Sequence, residues 1–231
     1  MLPGPTNSPL QVLVREPTDE EIAEEMGIIH ALTAWVLENA LTQLRKWLDA
    51  GLDLSISVNV SPRCIEDHSL EEMVARALGT FKVEPQRLTL EITEGVAMAA
   101  AAAKALHRLN EMGVRLALDD FGTGYSSLAH LQRFPVDALK IDRSFITGLA
   151  HTHAGESLVH TLVQLGKALS IETFAEGIEQ QQELSLLRDE DCDSGQGFLF
   201  ARPLDAAATE AFFENWAAKR AADQGQTPQP A

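Results

Sequence analysis

Short apolar runs of strand length recur along the chain, and stretches of helical length separate most of them. The runs are Gln11–Arg15, Leu54–Val60, Arg87–Ile92, Val114–Leu118, Ala138–Ile141, Ile171–Ala175 and Gly197–Phe200. Strands that alternate with helices pair in parallel. These runs are one strand short of a closed (β/α)8 barrel. The pattern therefore predicts an α/β fold of the barrel type.

Helix starts and one helix face can also be read from the sequence. Thr18 with Glu21, and Ser69 with Glu72, match the capping-box pattern that begins helices. One helix has apolar residues at helical spacing, which predicts a stripe facing the core: Trp35, Leu37, Leu41, Leu44 and Leu48. Composition predicts a disordered lead over 1–9, a folded domain over 10–221 and a disordered tail over 222–231.

The overall charge excludes one class of partner. The chain has 231 residues, of which 45% are hydrophobic, and a net charge of −16. A nucleic-acid polymer is not expected as a partner, because long phosphate backbones require a basic surface. A small anionic ligand is still compatible, since bound cations can reverse the local field. Two cysteines without a CxxC pair, no signal peptide and no apolar stretch of membrane-spanning length predict a cytoplasmic protein.

Polar or acidic residues gather at the ends of the predicted strands. They are Asn59, Glu91, Glu94, Asp119, Asp120, Asp142, Glu176, Glu179 and, just before the last strand, Gln196. Any one of them could be a helix cap or a turn residue. Together they predict an acidic cup at the carboxyl end of a barrel, where cations must offset the charge. Oxygen ligands suit Mg²⁺ or Mn²⁺, and two such ions about 3.5–4 Å apart would clamp an in-line displacement at phosphorus.

Lys140 is unusual because it lies inside an apolar strand, between Leu139 and Ile141. A buried ammonium needs a partner. Asp142 lies two residues further on and therefore faces the same side of the strand. We expect Lys140 to point into the acidic cup, where it could orient a water molecule or offset charge in the transition state. The alternative is a structural salt bridge across the barrel floor.

Six short motifs together resemble the EAL-domain family of cyclic di-GMP phosphodiesterases. They are VNVS from Val58, LEITE from Leu90, DDFGTGYSSL from Asp119, KIDRSF from Lys140, AEGIE from Ala175 and QGF from Gln196. Their order and spacing match over most of the chain, from about Ile22 to Leu204. The resemblance implies a TIM-like (β/α)8 barrel with one antiparallel strand. It also implies hydrolysis of cyclic di-GMP to linear pGpG with Mg²⁺ or Mn²⁺.

The resemblance also implies roles for individual residues. The metal-ligand positions fall on Asn59, Glu91, Asp119, Asp120 and Glu176, and the strand-end pattern adds Asp142. Lys140 is similar to the catalytic lysine, with Glu176 and Glu179 at further catalytic positions. Gln196 and Arg15 fall on substrate-binding positions. Glu94 matches a residue that supports the loop after Asp120, a loop that the family uses in dimer contacts. A homodimer, or an upstream sensory or GGDEF partner, is therefore expected.

The chain departs from the family near its first residues. The family strand EALLR or EVLVR is matched by QVLVR, which keeps Arg15 but replaces the metal-binding glutamate by Gln11. The family's first strand is not found, so we expect a barrel that lacks it. A full charge lost about 4 Å from a cation is worth about 4 kcal/mol at an effective dielectric constant near 20. We therefore expect metal binding and hydrolysis to be weakened.

Three interpretations of function follow from these residues. The chain is a phosphodiesterase, or a catalytically inactive domain that binds cyclic di-GMP as a sensor, or a partner-binding barrel that has lost the nucleotide. The retained KID and AEGIE motifs disfavour the third, because a scaffold has no use for a lysine in an acidic cup. Gln11 favours the inactive sensor domain, whereas the retained polar residues favour the phosphodiesterase.

Overall fold

The computed structural model describes residues 19–66, 69–97, 102–122, 134–147 and 153–224. Six strands in this part of the chain form one sheet, and every neighbouring pair is parallel. Their order in the sheet is their order in the sequence, as in the wall of a barrel. The strands are β1 (Ile56–Asn59), β2 (Leu88–Thr93), β3 (Arg115–Phe121), β4 (Ala138–Ile141), β5 (Glu172–Ala175) and β6 (Ser194–Gly195).

Helices connect and flank these strands. They are α1 (Asp19–Glu25), α2 (Ile29–Asp49), α3 (Pro62–Glu66), α4 (Leu70–Phe81), α5 (Glu94–Ala97), α6 (Ala103–Glu111), α7 (Arg143–Ile146), α8 (His153–Leu169), α9 (Gln181–Asp189) and α10 (Ala206–Gln224), with a short 3-10 turn at Pro85–Arg87. A parallel sheet needs such crossovers, because each strand must return to the same end before the next begins.

The strands place apolar and polar residues on opposite faces. In β2, Leu88, Leu90 and Ile92 are buried in the hydrophobic core. Glu91 lies between them on the other face of the strand, because successive side chains alternate. The core therefore fixes the register of β2 and directs Glu91 away from the helices.

Helix α2 confirms most of the predicted apolar stripe. Leu37, Leu41 and Leu44 are completely buried, and Leu48 packs against the core. Trp35 was wrongly included, since 62% of it is exposed. At about 100° per residue, Trp35 is turned well over a right angle away from Leu37. Ile29 and Thr33 occupy the buried face instead.

The last predicted strand was wrong. Residues 197–200 form a turn, and the strand that pairs with β5 is Ser194–Gly195. Gln196 therefore follows the last described strand instead of preceding it. The apolar letters of Gly197–Phe200 suggested a strand, but Phe198 and Phe200 are about half exposed. The correction places Gln196 at the carboxyl end of β6, like the other polar residues at strand ends.

The described helices differ from membrane-spanning helices. None of them is both long enough and apolar enough to cross a bilayer.

Candidate active site

Three carboxylates from different parts of the sheet converge on the ammonium of Lys140. Its Nζ lies 2.5 Å from Glu91 Oε2, 3.0 Å from Asp119 Oδ1 and 2.7 Å from Glu176 Oε1. The Lys140 side chain is only 7% exposed. The sequence prediction that Lys140 points into an acidic group is confirmed. We call Lys140, Glu91, Asp119 and Glu176 the lysine cluster.

The convergence comes from strand register. Asn59 pairs with Glu91 at the ends of β1 and β2, and Thr93 pairs with Asp119 between β2 and β3. Lys140 lies one residue before the end of β4, and Glu176 follows β5 directly. Each strand therefore delivers its polar residue to the same edge of the sheet. Asn59 is exposed at this edge.

A bulge in β3 directs two adjacent aspartates to the same region. The pairing of β3 with β4 shifts between Leu118 and Phe121, and Asp120 has φ of 54°. Consecutive residues of a regular strand would face opposite sides. A bulge with a left-handed residue, which aspartate tolerates, turns the second side chain. The sequence predicted that the strand would end before Asp119, whereas β3 continues through both aspartates.

Gln196 completes one side of the lysine cluster. Its Nε2 donates a hydrogen bond of 2.9 Å to Glu176 Oε1, the same oxygen that contacts Lys140. The backbone N–H of Glu176 donates to the carbonyl oxygen of Ile141 at 3.1 Å. Glu176 is therefore fixed at both its backbone and its carboxylate, which is the preorganisation that an active-site residue needs.

The electrostatics of the group reflect burial and crowding. Burial alone would lower the pKa of Lys140, but its hydrogen bonds with Glu176 and Glu91 raise that pKa above its ordinary value. Burial raises the pKa of Glu176, against the opposing effect of Lys140. Burial also raises the pKa of Asp120, with Asp119 and Asp142 contributing in the same direction. Perturbed pKa values of this kind cluster at functional sites.

Asp142 has a local structural contact as well as its place at the strand end. Its Oδ1 accepts a hydrogen bond of 2.9 Å from the backbone N–H of Ser144, which caps α7. Hydrogen bonding from Ser144 lowers the pKa of Asp142. The role of Asp142 as a metal ligand remains a prediction.

Two predicted site residues, Gln11 and Arg15, lie outside the described part of the chain. The loop that Glu94 is predicted to support also lies outside it. Gln11 and Arg15 precede Asp19, so their predicted roles stay predictions. Glu94 begins α5 and is buried, and its Oε2 has no hydrogen-bond partner among the described residues. This loop begins after Gly122, and residues 123–133 are not among the described residues.

A cavity of about 360 Å³ opens beside the lysine cluster. Its lining includes Glu176, Gln196, Phe198 and Arg202. The Arg202 guanidinium carbon lies 4.7 Å from the centroid of the Phe198 ring. The guanidinium thus lies over one face of the Phe198 ring and brings a positive charge to the lining of the cavity, which suits an anionic ligand.

Glu179 contributes to this cavity through an arginine that the sequence did not single out. The Arg143 guanidinium contacts Glu179 Oε1 at 2.6 Å, and both residues line the cavity. Gly177 has φ of 72°, and a Cβ added there would lie 2.3 Å from Arg143 Cγ. The Arg143 stem therefore packs directly on the Gly177 backbone, which explains why AEGIE needs glycine at this position.

The carboxylate oxygens of the lysine cluster are suitable ligands for a divalent cation, although in this structure they surround the Lys140 ammonium. Among the residues described, no group of three His, Cys, Asp or Glu side chains stands at a spacing that would hold a metal ion. Carboxylates are nevertheless the ligands that Mg²⁺ and Mn²⁺ prefer. Glu91, Asp119 and Glu176 already face one point, which the Lys140 ammonium holds.

Glu183 supports the site but was not found from the sequence. It is 4% exposed, and its Oε2 accepts hydrogen bonds of 2.9 Å from the backbone N–H groups of Glu179 and Gln180. These bonds fix the segment that carries Glu176 and Glu179. The signal was available, because a glutamate three residues after a helix cap is one half of a capping box.

Glu183→Ala should destabilise the fold by about 2 kcal/mol, because two backbone N–H groups lose a buried acceptor. Urea unfolding followed by circular dichroism would measure this. Gln182→Ala is the matched control, since Gln182 is exposed on the same helix and its loss should change the free energy by less than about 0.5 kcal/mol. Equal effects of the two variants would contradict the role given to Glu183.

Comparison with known proteins identifies the family. The model of the EAL domain matches residues 13–203. The chain is 43% identical over 188 residues to the bifunctional diguanylate cyclase/cyclic di-GMP phosphodiesterase MucR of Pseudomonas aeruginosa, covering 80% of this chain and 27% of MucR. It is 35% identical over 196 residues to the cyclic di-GMP phosphodiesterase PdeR of Escherichia coli, covering 84% and 30%. The chain thus spans less than a third of either relative.

Solved structures show the same fold. A PaMucR phosphodiesterase in complex with c-di-GMP is similar with a TM-score of 0.78 at 42% identity, covering 81% of this chain and 77% of that one. The EAL domain of DcpA from Mycobacterium smegmatis is similar with a TM-score of 0.76 at 32% identity, covering 81% and 86%. The predicted TIM-like barrel of the EAL type is confirmed.

Proposed function

The chain belongs to the EAL domain family, and on this premise we propose that it is a metal-dependent phosphodiesterase that hydrolyses cyclic di-GMP to linear pGpG. In this reaction one P–O bond of the ring breaks, a water oxygen bonds to phosphorus, and the leaving oxygen takes up a proton. The observation that carries the proposal is the convergence of Glu91, Asp119 and Glu176 on Lys140 in a family member.

The residues of the cup divide the work. Glu91, Asp119 and Glu176, with Asn59 and Asp120 beside them, would hold Mg²⁺ or Mn²⁺. When bound, these ions activate water and neutralise phosphate charge. The Lys140 ammonium would supply a positive charge for the developing negative charge of the reaction. Gln196 orients the carboxylate of Glu176 through their hydrogen bond.

The neighbouring cavity would hold part of the nucleotide. A guanine base would stack on the Phe198 ring or on the Arg202 guanidinium that lies over it, and Arg143, which also lines the cavity, would meet a phosphate. Arg15 would contact a phosphate as well, and Gln11 would weaken metal binding. A cytoplasmic location, and a homodimer or an upstream GGDEF domain, complete the proposal.

The second candidate function is a receptor that binds cyclic di-GMP without cleaving it. Gln11 favours this function. It is also favoured because, among the described residues, no three carboxylates stand at a spacing that would hold a metal ion. Incubation with cyclic di-GMP and Mn²⁺, followed by chromatography of the nucleotides, separates the two. The phosphodiesterase yields pGpG, and chelation with EDTA stops it. A receptor binds cyclic di-GMP in calorimetry and returns it intact. If the chain neither binds nor cleaves cyclic di-GMP, both functions are rejected.

A further inference from the structure

Lys140 holds the carboxylates that a metal ion would need. Its Nζ is within 3.0 Å of one oxygen each of Glu91, Asp119 and Glu176. With its side chain 7% exposed, the ammonium has exchanged most of its water for these oxygens. The three carboxylates are themselves only 12%, 18% and 18% exposed. They would repel one another at this distance without a cation between them.

A divalent ion and this ammonium cannot both keep these contacts. Mg²⁺ demands oxygens at about 2.0–2.1 Å in near-octahedral geometry. An oxygen that now faces Lys140 Nζ and becomes a ligand of that ion would have to give up or lengthen its contact with the ammonium. An ammonium left among them would also be repelled as a like charge in a partly desolvated group.

We propose that Lys140 is the resident counter-ion of Glu91, Asp119 and Glu176 in the metal-free protein, and that a divalent cation binds by displacing its ammonium from at least one of them. The proposal deepens the proposed metal-dependent function and rests on it. It makes Lys140 a positioning residue for the three carboxylates as well as a participant in the reaction. Metal and ammonium compete for the same oxygens, so Lys140 lowers the affinity for metal.

The fold allows the exchange without backbone movement. Lys140 pairs with Phe174 in β5, and its neighbours Leu139 and Ile141 pair with β3, so the sheet holds its backbone. Its four-carbon stem has several rotatable bonds, so the ammonium can move while the strand remains in place. The carboxylates come from β2, from β3 and from the residue after β5, which are also fixed by pairing. The ammonium can therefore leave a carboxylate while the backbone that carries the cluster stays in place.

Lys140→Met tests the proposal with Mn²⁺ alone as the probe. Mn²⁺ should bind the variant at least about tenfold more tightly than it binds the wild type, because a competing like charge is removed. Without metal the variant should melt at a lower temperature, and Mn²⁺ should raise its Tm more than that of the wild type. Titration calorimetry and thermal melts give both readings without an activity assay.

Lys167→Met is the matched control. Lys167 pairs with Asp191 at 3.0 Å on the surface, where its side chain is 40% exposed. Its loss should leave both the Mn²⁺ affinity and the Mn²⁺-dependent rise in Tm at wild-type values. Lys140→Gln is a second variant that keeps an amide donor for the carboxylates, and it should also bind Mn²⁺ more tightly than the wild type.

The outcomes separate this inference from the proposed function. If both Lys140 variants bind Mn²⁺ no more tightly than the wild type, the inference is overturned, and hydrolysis by the wild type still supports the function. Tighter binding in the variants with no hydrolysis by the wild type supports the inference and rejects the function. Variants that stay unfolded even in saturating Mn²⁺ also overturn the inference, because the metal should replace the missing ammonium.

Discussion

Glu176→Gln should reduce hydrolysis of cyclic di-GMP by at least about 100-fold, the loss expected when a reacting or metal-holding carboxylate becomes neutral. Glu176 Oε1 accepts from both Lys140 and Gln196, and an amide oxygen could keep these contacts but would carry no charge to balance the ammonium or to hold a metal ion. Initial rates of pGpG formation in Mn²⁺ would measure the change.

Glu172→Gln is the control for this result. Glu172 begins β5, the strand that Glu176 follows, but it pairs with Arg115 at the opposite end of the sheet and its side chain is 54% exposed. Its removal should change the rate by less than about twofold, because exposed ion pairs contribute little. A rate for Glu176→Gln within about tenfold of the wild type, well short of the loss expected for a reacting group, would show that Glu176 lies outside the chemistry.

Gly197→Ala should destabilise the protein by about 3 kcal/mol, because the new methyl group overlaps backbone atoms. A Cβ at this position would lie 2.1 Å from the carbonyl oxygen and 2.2 Å from the nitrogen of Ile178. That backbone is fixed, since Ile178 bonds to Gln196 on one side and to Leu199 on the other. The variant should also lose cyclic di-GMP binding, because Gly197 lines the cavity.

Gly79→Ala is the matched control for Gly197→Ala. Gly79 lies in α4 with no atom within 4 Å of an added Cβ. Alanine there should stabilise the helix by about 0.5–1 kcal/mol, because glycine is the poorer helix former. Urea unfolding of both variants gives opposite signs if the close approach at Gly197 is real. A Gly197→Ala variant as stable as the wild type would contradict this packing.

The parts of the fold that depend on local pattern could be predicted from sequence. The bounds of β4 are those predicted. Asp137 and Asp142 flank this apolar run, so its first and last residues can be read from the sequence. Lys140 could be placed in the cup, since an ammonium cannot be buried without partners. Asp142, which the period of two placed on the same side as Lys140, lies one residue past β4 and caps α7, and its role as a metal ligand stays a prediction.

The parts of the fold that depend on tertiary contacts could not be predicted from the sequence. The β3 bulge at Asp120 exists because of the register with β4, which no local pattern encodes. Gly197–Phe200 is apolar enough for a strand, yet Gly197 packs against the Ile178 backbone and the chain turns there. The contact between Arg143 and Glu179 joins α7 to the segment after β5, and only the folded sheet brings them together.

Anomalous X-ray scattering from crystals soaked in Mn²⁺ and cyclic di-GMP tests the central claim most directly. The account predicts two manganese peaks about 3.5–4 Å apart at the carboxyl end of the sheet, bounded by Glu91, Asp119 and Glu176, with the Lys140 ammonium moved away from at least one of them. Manganese bound elsewhere, or no peak in this cup while cyclic di-GMP is still cleaved, would contradict the account.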